Sequence, residues 1–146
     1  MIGLKLEYEI DNFSGLLEVS EKNLPKGNTK GCYFFYNQSK ELLYVGKSKN
    51  CIRQRLRKHL FLKFDRIEDF EKYENRLTLA KREYYKYFSF CEIESDLVEI
   101  VEIFLIKKFK PIFNCEYNNV CNMPDVELTK YEIEMDHKSN NIYLNL

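Results

Sequence analysis

Residues 31–59 read GCYFFYNQSKELLYVGKSKNCIRQRLRKH, and this stretch decides the fold. Residues 32–36 are aromatic-rich and strand-like. Residues 37–40, Asn-Gln-Ser-Lys, are polar and turn-like, and residues 41–45 return as a second strand. Two short apolar strands around a four-residue polar connection predict a β-hairpin. Gly46 ends it. Ser48 or Asn50 can then cap a helix in which Ile52, Leu56 and Leu60 repeat at i, i+4, i+8. The other face of that helix is basic. Residues 47–63 hold seven Lys and Arg and no Asp or Glu.

Working outward, 146 residues predict one domain with a core of its own. The 45% hydrophobic and 32% charged composition is that of a globular protein. Eleven Tyr and eleven Phe point first to core, and second to surfaces that stack on bases. The formal net charge is zero, against the basic balance usual for nucleic-acid partners. The charge is sorted, however. Residues 116–136 carry six acidic residues and Lys130 as their one base. A sorted surface can bind a polyanion while the whole chain stays neutral.

No stretch approaches the ~20 apolar residues of a membrane span. Charged residues interrupt any apolar run at the N-terminus, so no secretory signal is read there. Five cysteines, an odd number, fit a reduced, cytoplasmic setting. Cys115 and Cys121 with His137 match no common zinc spacing and lack a fourth ligand.

Leu4, Leu6, Tyr8 and Ile10 alternate with polar residues as a half-buried strand does. Residues 16–19 read as a short strand or a helical turn. The Pro25-Lys26-Gly27-Asn28 loop closes a lead-in covering residues 1–29. After the hairpin and basic helix, residues 66–87 read as a helix and scaffold. Residues 88–93 read as a third strand. Ser95 or Asp96 then caps another helix, with Glu99 as capping-box partner. Leu97, Val98, Val101, Leu105 and Ile106 are its buried stripe, and Pro111 stops it. Residues 115–146 form an acidic extension with candidate strands at 127–134 and 141–146, a docked arm or a mobile tail. The predicted class is α/β, a small, mostly antiparallel three-stranded sheet flanked by helices.

Glu102 stands out because it lies among Val98, Val101, Leu105 and Ile106. A carboxylate there costs several kcal/mol unless it is paired, hydrogen-bonded or on a metal. One reading pairs it with a helix lysine at the edge of the stripe. The other assigns it chemistry. Phosphodiester hydrolysis needs an oriented water, a proton acceptor and positive charge on the phosphate. Tyr33, Tyr44, Lys47, Arg53, Arg55 and His59 are the residues available for it.

The order of these residues resembles the GIY-YIG nucleases. In that family a G-x-Y strand is followed by a Y-[IV]-G strand. An Arg then lies on a helix, often with a His one turn later, and a metal-binding Glu on a later helix that ends in P-x-[YF]-N. Here the matches are Gly31-Cys32-Tyr33, Tyr44-Val45-Gly46, Arg55 with His59, Glu102, and Pro111-Ile112-Phe113-Asn114. They cover residues 30–114, the core by this resemblance. Cys32 replaces the usual Ile or Val, and Arg55 falls one residue later than is usual after Tyr44. Arg53 is the competitor, and Arg55 is preferred because it alone puts His59 one turn away on the same face.

The resemblance implies a metal-dependent DNA endonuclease. Tyr33 would activate water beside Tyr44, with Lys47 and Arg55 supplying the positive charge a phenol needs in order to act as a base. Arg55 would clamp the phosphate and His59 would touch it or the leaving oxygen. Glu102 would hold one Mg²⁺ or Mn²⁺. Gly31, Gly46 and Asn114 would support the site. Lys49, Arg53, Arg57 and Lys58 would contact DNA. The rival readings are a non-catalytic nucleic-acid-binding module, or a protein that binds a partner or its own copy through the C-terminal extension.

Overall fold

Asn37 closes the first hairpin. Its Oδ1 accepts the Glu41 N–H at 2.9 Å, and Lys40 takes a left-handed conformation at φ 65°. The strands on either side are β3 (Gly31–Tyr36) and β4 (Leu42–Ser48). They pair antiparallel, Tyr33 opposite Gly46 and Phe35 opposite Tyr44, with a bulge after Phe35. The computed structural model describes residues 7–10, 13–63, 68–69, 72–115 and 142–145.

The remaining strands are β1 (Glu7–Ile10), β2 (Leu17–Glu18), β5 (Tyr87–Glu92) and β6 (Ile142–Asn145). The main sheet has four strands in the order β2-β5-β3-β4, all antiparallel. The three-stranded expectation is therefore corrected by one short edge strand: residues 17–18 pair with β5 and do not make a helical turn. β1 and β6 form a separate antiparallel pair. The candidate strand at 127–134 lies outside the described residues.

Every residue of β3 is buried because the strand is central and both sheet faces are covered. This is why GCYFFY reads as a continuous apolar run. Gly31 is required at its start, since a Cβ there would overlap the Cys91 carbonyl. Cys32, Phe34 and Tyr36 pack with Val98, Val101, Leu105 and Ile106 of the last helix. Tyr33 and Phe35 pack on the opposite face with Ile52, Leu56, Leu60, Tyr85 and Phe113.

The helices are α1 (Ile52–Leu60), α2 (Tyr73–Arg82) and α3 (Val98–Phe109). Ile52, Leu56 and Leu60 bury as their spacing predicts. Ser48 Oγ accepts the Cys51 N–H at 2.9 Å and steers the chain into α1. Over residues 66–87 the described helix is shorter than expected. At α3 the capping box is absent: Leu97 occupies the N-cap, so Glu99 is one position too early to close one. Lys110 ends α3 in the left-handed region, just before Pro111. Cys32, Cys51 and Cys91 are free thiols, and Cys115 is disulfide-bonded. Among the described residues no helix is long and apolar enough to cross a membrane.

Candidate active site

Residues opposite one another on paired strands share a sheet face. Tyr33 therefore lies on the α1 side with Gly46, and Tyr44 lies there with Phe35. The Tyr33 ring occupies the space a side chain at position 46 would need: a Cβ on Gly46 would meet its Cζ, Cε2 and Oη. Tyr33 Oη stands 3.0 Å from Nε2 of His59, which the helical period of α1 turns toward the sheet. The Tyr44 ring is 6.3 Å from Tyr33 and 5.5 Å from His59, centre to centre. Phe35 stacks on Tyr44 at 5.9 Å and meets the His59 ring edge-on at 5.4 Å.

Burial lowers the His59 pKa to about 3, with Arg55, Lys81, Lys58 and Arg82 adding repulsion. Burial also pushes the Tyr33 phenol well up, as does Tyr44, while Arg55 opposes the rise. Both groups are thus neutral near pH 7, and either atom can donate the hydrogen bond they share. Of the two cations expected to supply positive charge to Tyr33, Arg55 does so and Lys47 is not among the groups that act on it. Desolvation outweighs the guanidinium. Lys47 faces elsewhere.

Lys47 pairs across the strands with Cys32 and so points to the α3 side. Its Nζ lies 3.7 Å from Glu102 Oε1 and 3.6 Å from Glu99 Oε1. Lys49 Nζ reaches Glu99 Oε2 at 3.3 Å. The Glu102 side chain is 12% exposed on the α3 stripe. The lysine at this distance comes from β4. The two halves meet around the edge strand at Gly46, near enough that the Glu102 carboxylate contributes to the rise of the Tyr33 pKa. Among the described residues no three His, Cys, Asp or Glu converge. A single carboxylate fits a magnesium-like ion that takes its remaining ligands from water and phosphate, and does not fit a preformed protein cage.

The two candidate arginines of α1, Arg53 and Arg55, diverge. Arg53 Nη1 donates to the Pro25 carbonyl at 3.3 Å, tying the lead-in to the helix. Arg55 is exposed and acts electrostatically on both Tyr33 and His59. Arg57 and Lys58 lie exposed on the outer face of α1. The Asn114 amide clasps one residue of β4, accepting from Val45 N and donating to Val45 O, both at 2.8 Å. That residue sits between Tyr44 and Gly46.

Two residues of α2, the expected scaffold helix, also reach the site. Lys81 Nζ lies 5.6 Å from the centre of the Tyr44 ring. Arg82 donates to the carbonyls of His59 (2.8 Å), Leu62 (2.9 Å) and Lys58 (3.2 Å), fastening the C-terminal end of α1. The sequence holds one sign of them, a basic pair in the last turn of a helix, but that pattern also serves the helix dipole.

Residues 29–115 match the model of a family described as the UvrC-like GIY-YIG domain. UvrABC system protein C of Dictyoglomus thermophilum is 34% identical over 116 residues, which are 80% of this chain and 17% of that protein. Its namesake in Mesoplasma florum is 32% identical over 132 residues, 84% of this chain and 20% of that protein. In Helicobacter pylori strain P12 the figures are 33% over 101 residues, 65% and 16%. The chain spans a fifth or less of the length of these relatives.

Proposed function

This chain belongs to the UvrC-like GIY-YIG domain family, and on that premise we propose that it is a divalent-metal-dependent endonuclease hydrolysing DNA phosphodiester bonds. The observation that carries the reading is the Tyr33–His59 pair at 3.0 Å, with Arg55 and Glu102 both near enough to act on the Tyr33 phenol. Residues from two strands and two helices converge there, which a structural role for any one of them would not require.

In the proposed reaction Arg55 binds the non-bridging oxygens of the scissile phosphate, a task suited to the planar guanidinium fork. A water on the Tyr33 phenol attacks phosphorus. As the new P–O bond forms and the bond from phosphorus to the leaving sugar oxygen breaks, the water proton passes to Tyr33 Oη, the phenol proton passes to His59 Nε2, and the departing alkoxide takes a proton from solvent. Burial is the main cause that holds His59 down, and a phosphate beside Arg55 offsets the repulsion that adds to it, which makes the imidazole a better acceptor once substrate is bound. Tyr44 and Phe35 wall the pair from bulk water. Lys47 steadies the Glu102 carboxylate. Glu102 would hold the Mg²⁺ or Mn²⁺ ion, which when bound supplies Lewis-acid stabilisation of the phosphate and the leaving oxygen.

The test is incubation of supercoiled plasmid with the protein in Mg²⁺, in Mn²⁺ and in EDTA. Nicked or linear product in either metal and none in EDTA is the expected result. Intact plasmid under all three conditions overturns the reading, and DNA binding without cleavage would favour the non-catalytic module instead.

A further inference from the structure

The outer face of α1 opposes the helical turn at Glu21–Asn23 across a cavity of about 540 Å³, within the range of small-ligand sites. Three of its walls are cationic, from Arg57, Lys58 and Lys63. Phe61 and Leu62 form an apolar wall, and Glu21 supplies one carboxylate. Leu62 is 43% exposed, one of two large hydrophobic residues so open among those described. Nothing in the reaction proposed above uses this cavity.

The chemistry of the walls selects an occupant. Three cations ask for an anion, and an apolar aromatic wall asks for a flat ring. A carboxylate among cations accepts hydrogens from an exocyclic amino group. A nucleotide whose base carries such donors meets all three demands. A base stacked in a duplex cannot enter a recess walled by a phenyl ring, so the nucleotide must be unpaired. The position fits as well. Arg82 fastens the carbonyls of Lys58 and Leu62, at the cavity, and of His59, at the candidate site, to one guanidinium. The two places are therefore held on one support, separated by roughly the ~10 Å width of a helix.

Resting on the nuclease reading, we infer that the cavity binds an unpaired nucleotide flanking the scissile phosphate and favours a base that carries an exocyclic amine over thymine. Its phosphate lies on Arg57, Lys58 and Lys63, and its base lies against Phe61 and Leu62. Glu21 accepts from the exocyclic amine, as carboxylates do from cytosine N4. The preferred substrate class is then forked or flapped DNA with a single-stranded arm.

The experiment uses the full chain and fluorescent duplexes that are either fully paired or forked, with single-stranded arms of all cytosine or all thymine. Anisotropy without metal gives affinity, and gel analysis in Mg²⁺ gives cleavage. The cytosine fork is expected to bind about five- to hundredfold more tightly than the paired duplex, the range of one base–aromatic contact. Leu62→Glu, on an exposed position that leaves the core intact, and Phe61→Ala should each collapse that ratio toward one. Glu21→Leu, which has no acceptor at this exposed position, should erase the cytosine-over-thymine preference, and a preference it leaves unchanged overturns the role of Glu21. Equal affinity of the unmodified protein for forked and paired DNA overturns the inference, as does a ratio that Leu62→Glu leaves unchanged. Absence of cleavage on every substrate would instead strike the nuclease reading, while the anisotropy ratios would still decide the cavity.

Discussion

Tyr33 Oη and His59 Nε2 lie 3.0 Å apart, and the absence of a side chain at Gly46 leaves the space in which the phenol reaches its partner. Two groups that each titrate in water are held neutral by the same burial. A strand, its edge neighbour and a helix must all be in register for the pair to exist.

Gly46→Ala tests that packing. The new methyl would collide with the Tyr33 ring, which is walled by Phe35 and His59 and cannot yield freely. Overpacking of this kind costs about 1–3 kcal/mol. Thermal unfolding should show a melting temperature lower by a few degrees, and DNA cleavage should fall much further than stability does.

Acid should reveal His59. Its folded pKa is about 3 against 6.5 for an unperturbed imidazole. Below pH 6.5 the unfolded chain takes up a proton that the folded chain refuses until near pH 3, so stability falls as pH drops through this window. Above it neither state binds the proton and the dependence vanishes. Denaturant unfolding at several pH values should give a steeper acid loss for the unmodified protein than for His59→Asn. Identical slopes would contradict the buried neutral imidazole.

Arg55→Ala is expected to lower the cleavage rate by on the order of 10²–10³, the effect of removing one transition-state stabiliser. Arg53→Ala breaks the bond to Pro25 and should act on stability and affinity, leaving the rate constant of the bound complex near its original value. Single-turnover kinetics on both variants decides between them.

Arg82→Ala removes three bonds to carbonyls at the end of α1. Hydrogen bonds to a charged group contribute about 1.5–3 kcal/mol. The variant should melt several degrees lower, and amide exchange should rise first in the last turn of α1. Arg82→Lys should recover only part of the loss, because one ammonium cannot fan across three carbonyls as a guanidinium does.

The hairpin and α1 are legible because their signals are local: two short apolar runs around a polar turn, and Ile52, Leu56 and Leu60 at helical spacing. The edge strand at Leu17–Glu18 was ambiguous because two residues carry no period, and only pairing with β5 defines it. The distance of Glu99 from Asp96 suggests a capping residue. The helix starts later, and Lys47 and Lys49, remote in sequence, take the carboxylate instead. Lys81 and Arg82 were invisible for the same reason, since their partners are set by how α2 lies on α1. Spacing reports charges near Tyr33 such as Arg55 and says nothing of burial, which is the larger effect on the phenol.

Glu102→Gln tests the central claim most directly. The substitution keeps the shape of a buried side chain and removes the one carboxylate of the α3 stripe that would hold the ion. Plasmid cleavage in Mg²⁺ should disappear, while gel-shift affinity for the same DNA and the melting temperature stay near those of the unmodified protein. Turnover of Glu102→Gln at the unmodified rate in Mg²⁺ would contradict the metal-dependent nuclease assignment of this site.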